Sequence, residues 1–218
     1  MRCTSSFENE ARIRGYRAVA GVDEVGRGAL FGSVVAAAVI LDPTRPIRGL
    51  NDSKLLAPEE REDLAAAIKE KSLAWSIGAS DAAEIDRVNI YQASRLAMRR
   101  AVVSLPIKAD YLLIDAMIVD LDLPQESLIK GDARSRAIAA ASIIAKVHRD
   151  ECMRQWHAIY PEYGLASHKG YGVPEHLLAL EHHGPTPLHR FSFSPVSRLG
   201  LDSIQQQSRC FEEAGAFA

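Results

Sequence analysis

The sequence predicts an α/β domain whose C-terminal portion is mostly helical. Short runs rich in Val, Ile and Ala dominate the first half, and long alanine-rich or proline-opened stretches dominate the second. Two of the apolar runs also end on carboxylates, the pattern of strands that stop at the mouth of a sheet.

Taken in order, Val19 to Val25 is small and β-branched and reads as a strand. Val34 to Leu41 reads as its partner across a glycine-containing connection, and Asp42-Pro43 marks the following turn. Pro58 opens a helix, EEREDLAAAIKEK, with acids in its first turn and lysines in its last, as the helix dipole favours. Leu73 to Ala79 predicts another short strand. Asn89 is placed to cap a helix carrying Ile90, Ala93, Ala97 and Ala101 on one face. Tyr111 to Ile114 predicts a buried strand ending in Asp115. A long Ala/Ile-rich helix follows from Ala137 to about His157, stopped by Tyr160-Pro161, and Pro174 opens the last clear helix, closed by Gly184 and Pro185. The expected organisation is a core over 1–155 with a helical portion over 156–218 packed on it, its tail from about 197 a mobile terminus.

Composition narrows the class. Hydrophobic residues are 47% and charged ones 25%, enough apolar material for a packed core, which excludes a disordered chain. A net charge of −2 excludes a uniformly basic coat for nucleic acid or membranes. Charge is uneven, however: Asn51 to Asp86 holds four basic against nine acidic residues, and Ser127 to Arg154 six basic against three acidic. The second stretch predicts either a phosphate-gripping patch or a solvated helix face. Cys3, Cys152 and Cys210 form no CxxC pair and no zinc spacing, which suits a reducing compartment. No apolar leader precedes residue 20, and the longest uncharged stretch, Ala29 to Leu41, is short of the roughly 18 residues a membrane span needs. A soluble, cytoplasmic protein is expected.

The chemistry starts at Val22-Asp23-Glu24-Val25. Charges in an apolar strand are costly unless paired or metal-bound. Adjacent strand residues point to opposite faces, so both acids can serve one site only if the strand ends or kinks there. Asp115 repeats the motif at the end of its own strand. Asp132, after Gly131 and before a helix, is either a helix cap or a fourth acid of the same site. Carboxylates without interleaved Cys or His suit Mg²⁺ or Mn²⁺ rather than Zn²⁺. Two such ions about 3.5–4 Å apart stabilise the attacking and leaving oxygens of a phosphoryl displacement.

Gly26-Arg27-Gly28 is followed by Gly32, giving GxGxxxG before a strand, so a dinucleotide fold is excluded, and no P-loop or GxSxG elbow is present. The Gly-Arg-Gly is either a tight hairpin or a close backbone approach to sugar and phosphate. All seven histidines lie between His148 and His189, without a zincin pattern. Ser167-His168-Lys169-Gly170-Tyr171-Gly172 sets a ring between glycines beside possible cations, a platform for stacking on a nucleotide.

As a set, AGVDEVGRG, LNDSK, LAMRRAV, LLIDA, IKGDARSRAIAAASIIAKVHRD, YPEYG, HKGYG and HGPTPLHR closely resemble ribonuclease HII, from Ala20 to Val196. The resemblance implies a ribonuclease H-like fold, a central mixed sheet flanked by helices, acting as a single catalytic domain and as a monomer. It implies that Asp23, Glu24, Asp115 and Asp132 hold two divalent ions, Mg²⁺ or Mn²⁺, with Asp23 bridging them. Water would then attack the scissile phosphate and leave a 3′-hydroxyl and a 5′-phosphate. The implied substrate is the RNA strand of RNA/DNA hybrids, and single ribonucleotides embedded in duplex DNA, cut on their 5′ side. Gly26, Arg27 and Gly28 match the loop that reads the 2′-hydroxyl, Tyr171 the ring that packs on the next deoxyribose, and Lys54 and Lys169 phosphate-binding lysines. The 2′-hydroxyl is the group that tells RNA from DNA.

Departures stand out. Ala29-Leu30-Phe31-Gly32-Ser33-Val34 lacks both prolines of the PLAGPV common in the family, which predicts a looser connection behind the loop. Leu55 replaces a second lysine, Val173 a small hydroxyl residue, and Ala116-Met117 a frequent Gly-Asn. A catalytically dead nucleic-acid-binding module of the same fold and a small-molecule Mg²⁺ phosphatase are the other function classes, both at odds with the intact acids beside GRG and HKGYG.

Overall fold

Residues 3–51 and 53–199 are described by the computed structural model. Cys210 and the tail from residue 200 fall outside them. The chain forms two units, one drawn from 3–27, 34–80 and 90–151, the other from 28–33, 81–89 and 152–199.

The elements in chain order are α1 (Ser6–Ile13), β1 (Val19–Val25), β2 (Val34–Ile40), α2 (Pro58–Lys71), β3 (Ala74–Ser80), α3 (Ala82–Val88), α4 (Ile90–Val103) and β4 (Tyr111–Asp115). They continue with β5 (Gln125–Leu128), α5 (Arg136–Ile159), α6 (Leu165–His168) and α7 (Pro174–His183). In the first unit the strands form one five-stranded mixed sheet in the order β3-β2-β1-β4-β5. β1 runs antiparallel to β2 and parallel to β4, and β4 runs parallel to β5.

The burial explains the sequence patterns. β2 is buried at every position because α4 covers one face and α5, with Ala65 and Ile68 of α2, packs against Val35, Ala37 and Val39. A strand covered on both faces reads as a continuous apolar run and not as an alternation. Helix α4 buries Ala93, Ala97 and Ala101, three of the four expected positions, together with Ser94, Met98 and Val102. Its small residues allow contact so close that a Cβ at Gly78 would stand 2.2 Å from the Ala97 carbonyl oxygen. Gly21 has the same reason: a Cβ there would lie 2.0 Å from the backbone of Ala137, because the first turn of α5 rests directly on β1.

Expected boundaries shift little. The strand read over Leu73 to Ala79 is Ala74–Ser80, and the long helix runs Arg136–Ile159. Asn89 stands before α4, as expected, but it also closes α3 with φ +68 and ψ 164, a backbone region otherwise almost confined to glycine. Asp132 is not the cap of α5. Ser135 Oγ accepts from Ile138 N–H at 3.2 Å, and the buried Glu8 carboxylate accepts from Ala137 N–H and from the Ser135 hydroxyl, both at 2.7 Å.

The second unit has its own apolar core, in which Leu30, Phe31, Met153, Tyr163, Leu165 and Leu180 are buried together. The connection without prolines is fastened here. Leu30 N–H donates to Gly170 O and Gly32 N–H to Leu188 O, while Arg190 N–H donates to Leu30 O, each at 2.8 Å. Phe31 is fully buried, edge-on to Trp156, Tyr160 and His189. Backbone pairing and a large ring replace the stiffness that prolines would give.

Candidate active site

Strand register brings the first acids together. Val22 pairs with Ile114 in the parallel β1–β4 ladder, so Asp23 and Asp115 follow as neighbours at the C-terminal ends of adjacent strands. β1 ends one residue past Glu24, at Val25, before Gly26 at φ +92, and Glu24 lies within reach of the Asp115 charge. Asp23 is 5% exposed, and its Oδ1 accepts the Glu24 N–H at 2.8 Å. A second bond reaches it from the hydroxyl of Ser142 on α5, which itself lies 3.0 Å from the Ser53 hydroxyl. With Ser142 donating to the carboxylate, Ser53 donates to Ser142, a short relay that fixes Asp23 from behind.

The other two acids arrive by loops. Asp115 Oδ1 accepts Gly131 N–H at 2.7 Å, which ties the turn Gly131–Ala133 to the end of β4. Asp132, in that turn, is 6% exposed, with Lys54 Nζ 3.7 Å from its Oδ2. Lys54 comes from the turn Ser53–Leu55, and its side chain is mostly in solvent.

Electrostatics make this an uneasy site. Burial pushes the Asp23 carboxyl well above the usual carboxylate range, and the charges of Glu24 and Asp115 push it the same way. Glu24 is raised too, by burial first and by Asp115, with Arg27 opposing at 3.4 Å. Glu24 Oε2 is buried with no hydrogen-bond partner among the described residues. Facing carboxylates with an unmet oxygen are what a divalent cation neutralises, and an all-oxygen donor set suits Mg²⁺ or Mn²⁺. Among the described residues, no three His, Cys, Asp or Glu side chains already stand as a closed ligand cage. The fit therefore lies in the donor chemistry and the uncompensated charge.

The Gly-Arg-Gly segment divides by role. Gly26 has φ +92, and a Cβ there would lie 2.2 Å from Nε of the fully buried Arg149, so its backbone and its packing both require glycine. Arg27 pairs with Glu24. Gly28 has neither constraint, since a Cβ there would meet only Tyr171 Cε1, at an ordinary 3.9 Å. In the second unit, Ala29 and Tyr171 form an antiparallel bridge, Tyr171 is half-buried, and Lys169 Nζ donates to the Ala166 carbonyl. The site residues thus gather in two groups: the four acids, Gly26, Arg27 and Lys54 in the first unit, and Gly28, Lys169 and Tyr171 in the second.

Some of the basic stretch is spent on structure. Arg149 is buried under Gly26, and Lys146 pairs with Asp150 at 2.7 Å, which Arg61 also approaches at 3.6 Å. Ser142 and Ser53 were not anticipated as site residues. A lone hydroxyl in the buried run Ala137–Ala145 was the available signal for Ser142.

Comparison with known proteins agrees with the geometry. The family model for ribonuclease HII matches residues 20–196. A ribonuclease HII of Solibacter usitatus (strain Ellin6076) is 62% identical over 218 residues, covering 99% of this chain and 95% of its own. The crystal structure of ribonuclease H2 from Pyrococcus horikoshii OT3 superposes with a TM-score of 0.72 at 26% identity, over 84% of this chain and 97% of that one. Bst-RNase HIII in complex with Mn²⁺ shares the fold with a TM-score of 0.62 at 24% identity, over 84% of this chain and 68% of that one. The mixed sheet flanked by helices is accordingly the ribonuclease H-like fold, and the chain belongs to the ribonuclease HII family of endoribonucleases, which act on RNA/DNA hybrids.

Proposed function

We propose that this endoribonuclease cuts on the 5′ side of single ribonucleotides embedded in duplex DNA, as well as along the RNA strand of hybrids, leaving a 3′-hydroxyl and a 5′-phosphate. The observation that carries it is the pair of buried Asp23 and half-buried Asp115 at neighbouring strand ends, with Glu24 Oε2 unmet beside them. Asp23, Glu24, Asp115 and Asp132 would hold two divalent ions, Mg²⁺ or Mn²⁺, a reading supported by the Mn²⁺ complex of the ribonuclease HIII relative. When bound, such cations offset charge on the scissile phosphate and on the departing oxygen.

The protein's own groups do the rest. Ser142, backed by Ser53, holds the Asp23 carboxylate in one orientation, and Gly131 N–H holds Asp115. Arg27 limits the repulsion that Glu24 feels and leaves a partly exposed guanidinium for phosphate. Lys54 offers a mobile charge beside Asp132. Gly28 leaves the backbone open where a 2′-hydroxyl is to be read, Tyr171 stands beside it as a ring for the following sugar, and Lys169 meets a phosphate. We further infer one catalytic domain acting as a monomer in the cytoplasm; no helix among the described residues is long and apolar enough to cross a membrane.

The test is cleavage of three labelled duplexes, one with a single ribonucleotide, one a continuous hybrid and one all DNA, in Mg²⁺, Mn²⁺ or chelator. One cut 5′ to the ribonucleotide, absent in chelator and in the DNA control, is the expected result. Cutting of the continuous hybrid alone would remove the junction reading. Silence on all three from folded protein would favour a binding module.

A further inference from the structure

The second unit holds three imidazoles that the cutting chemistry does not use, His176 and His189 fully buried and His168 half-buried, and their hydrogen bonds leave no freedom in where the protons sit. The fixed point is Thr186, whose backbone N–H lies 2.9 Å from His189 Nδ1. A backbone N–H can only donate, so Nδ1 accepts and carries no proton. The Thr186 hydroxyl, 3.0 Å from the same nitrogen, donates there too and accepts from Leu188 N–H. A neutral His189 then carries its proton on Nε2, which is 3.1 Å from His176 Nε2. That second nitrogen must accept, and the His176 proton is left on Nδ1, 3.0 Å from the carbonyl oxygen of Tyr171.

His168 is fixed in the same way. Gly170 N–H donates to its Nδ1 at 3.2 Å, so its Nε2–H donates to the Tyr163 carbonyl at 2.7 Å. The His168 and His176 rings stack with centroids 4.6 Å apart and planes 19° from parallel. Two histidines therefore grip consecutive residues, one at the amide of Gly170 and the other at the carbonyl of Tyr171. On the other side, the Gly170 carbonyl accepts from Leu30 N–H at 2.8 Å, and Ala29 bridges Tyr171.

We propose that His189 and His176 are positioning residues for Tyr171: the directed chain Thr186 N–H to His189, His189 to His176, and His176 to the Tyr171 carbonyl sets the peptide that carries the ring beside Gly28. The role extends the junction-reading function of Tyr171 and rests on it. Both rings are fully buried, His189 edge-on to Phe31 at 4.9 Å, which leaves them no alternative orientation. Burial also holds both imidazoles below the ordinary histidine range, His189 at about 3, in keeping with neutral rings, His189 accepting the Thr186 N–H and His176 the His189 N–H. His176 holds the Tyr171 carbonyl, so its effect on cutting passes through Tyr171.

Two measurements test this on the full-length protein. Long-range ¹H–¹⁵N spectra of the histidine rings at neutral pH should show His189 protonated on Nε2 and His176 on Nδ1; the opposite tautomer on His176, or an imidazolium on either, overturns the proposal without reference to activity. The second is kinetic. His176→Leu removes the donor to the Tyr171 carbonyl, whereas His176→Asn places an amide N–H where Nδ1–H stood. His176→Leu should lower kcat about tenfold on the single-ribonucleotide duplex and about twofold on the continuous hybrid, and His176→Asn should recover most of the loss. Equal losses on both substrates from His176→Leu, beside a selective loss from Tyr171→Ala, would make the histidines merely structural and overturn the proposal. Equal losses from Tyr171→Ala itself would instead remove the junction reading on which the kinetic test depends. If His176→Leu does not fold, His176→Asn and the spectra still decide: selectivity lost in His176→Asn, with the donor in place, contradicts the role.

Discussion

The first unit buries carboxylates and the second buries imidazoles, and the two clusters are built on opposite principles. Among His168, His176 and His189 every ring N–H meets an acceptor, with directions set by backbone N–H groups at Thr186 and Gly170. Among the acids like charges face one another, and Glu24 Oε2 is left without a partner among the described residues. A buried polar cluster that satisfies itself fixes a shape, and one that does not is waiting for a ligand. On the function proposed above, the contrast separates the part of this enzyme that holds from the part that reacts.

Gly28 gives the sharpest way to break that division. It has room for a methyl group in the free protein, so Gly28→Ala should leave unfolding free energy within about 0.5 kcal/mol of the parent. Cleavage at a single ribonucleotide should still fall roughly 100-fold, because a methyl displaces the sugar from the backbone. Unchanged cleavage would show that the position reads nothing.

A smaller effect follows from pH. Asp23 has a raised folded pKa, so it destabilises increasingly as pH rises from about 4 towards neutrality. His189 has a depressed one, about 3 against 6.5, so its contribution is present above pH 6.5 and is lost as pH falls. Asp23→Asn cancels only the first. In metal-free urea titrations it should be more stable than the parent at pH 7, with the gap closing near pH 4. Both proteins should lose up to about 1.4 kcal/mol per pH unit below 6.5 from His189. A variant no more stable than its parent at pH 7 would show that the acids are already compensated.

The smallest change concerns the end of β4. Ala116 has φ +49, a strained conformation for a residue with a Cβ. Ala116→Gly should gain about 0.5–1 kcal/mol in thermal unfolding, despite the added chain entropy, and leave cleavage rates unchanged. A destabilised variant would mean that the local strain is absorbed elsewhere.

What the sequence disclosed followed from local signals. A carboxylate ending an apolar run marks itself, which is why Asp23, Glu24 and Asp115 could be read directly, and a ring between two glycines drew attention to Tyr171. Strand β5, QESL, carries no apolar run because it lies at the sheet edge and is half-exposed, so nothing marked it. Helix α3 did announce itself through Asp81 and Glu84, three residues apart, which cap each other's backbone at 2.8 and 3.3 Å, and that signature was passed over. The histidine chain was beyond reach, since His176 on α7 meets His189 and the Tyr171 carbonyl through contacts that no periodicity encodes. The missing prolines misled for a related reason: the bonds from Leu30 and Gly32 to Gly170 and Leu188 are long-range.

The central claim, that the acid cluster cuts and is otherwise dispensable to the fold, is tested most directly by Asp115→Asn. The amide oxygen can still accept Gly131 N–H, so the variant should melt at or above the parent's temperature. In Mg²⁺, cleavage of the duplex carrying one ribonucleotide should fall by roughly 100-fold or more, to the level the parent shows in chelator. A folded Asp115→Asn protein that turns over at near the parent's rate would contradict it.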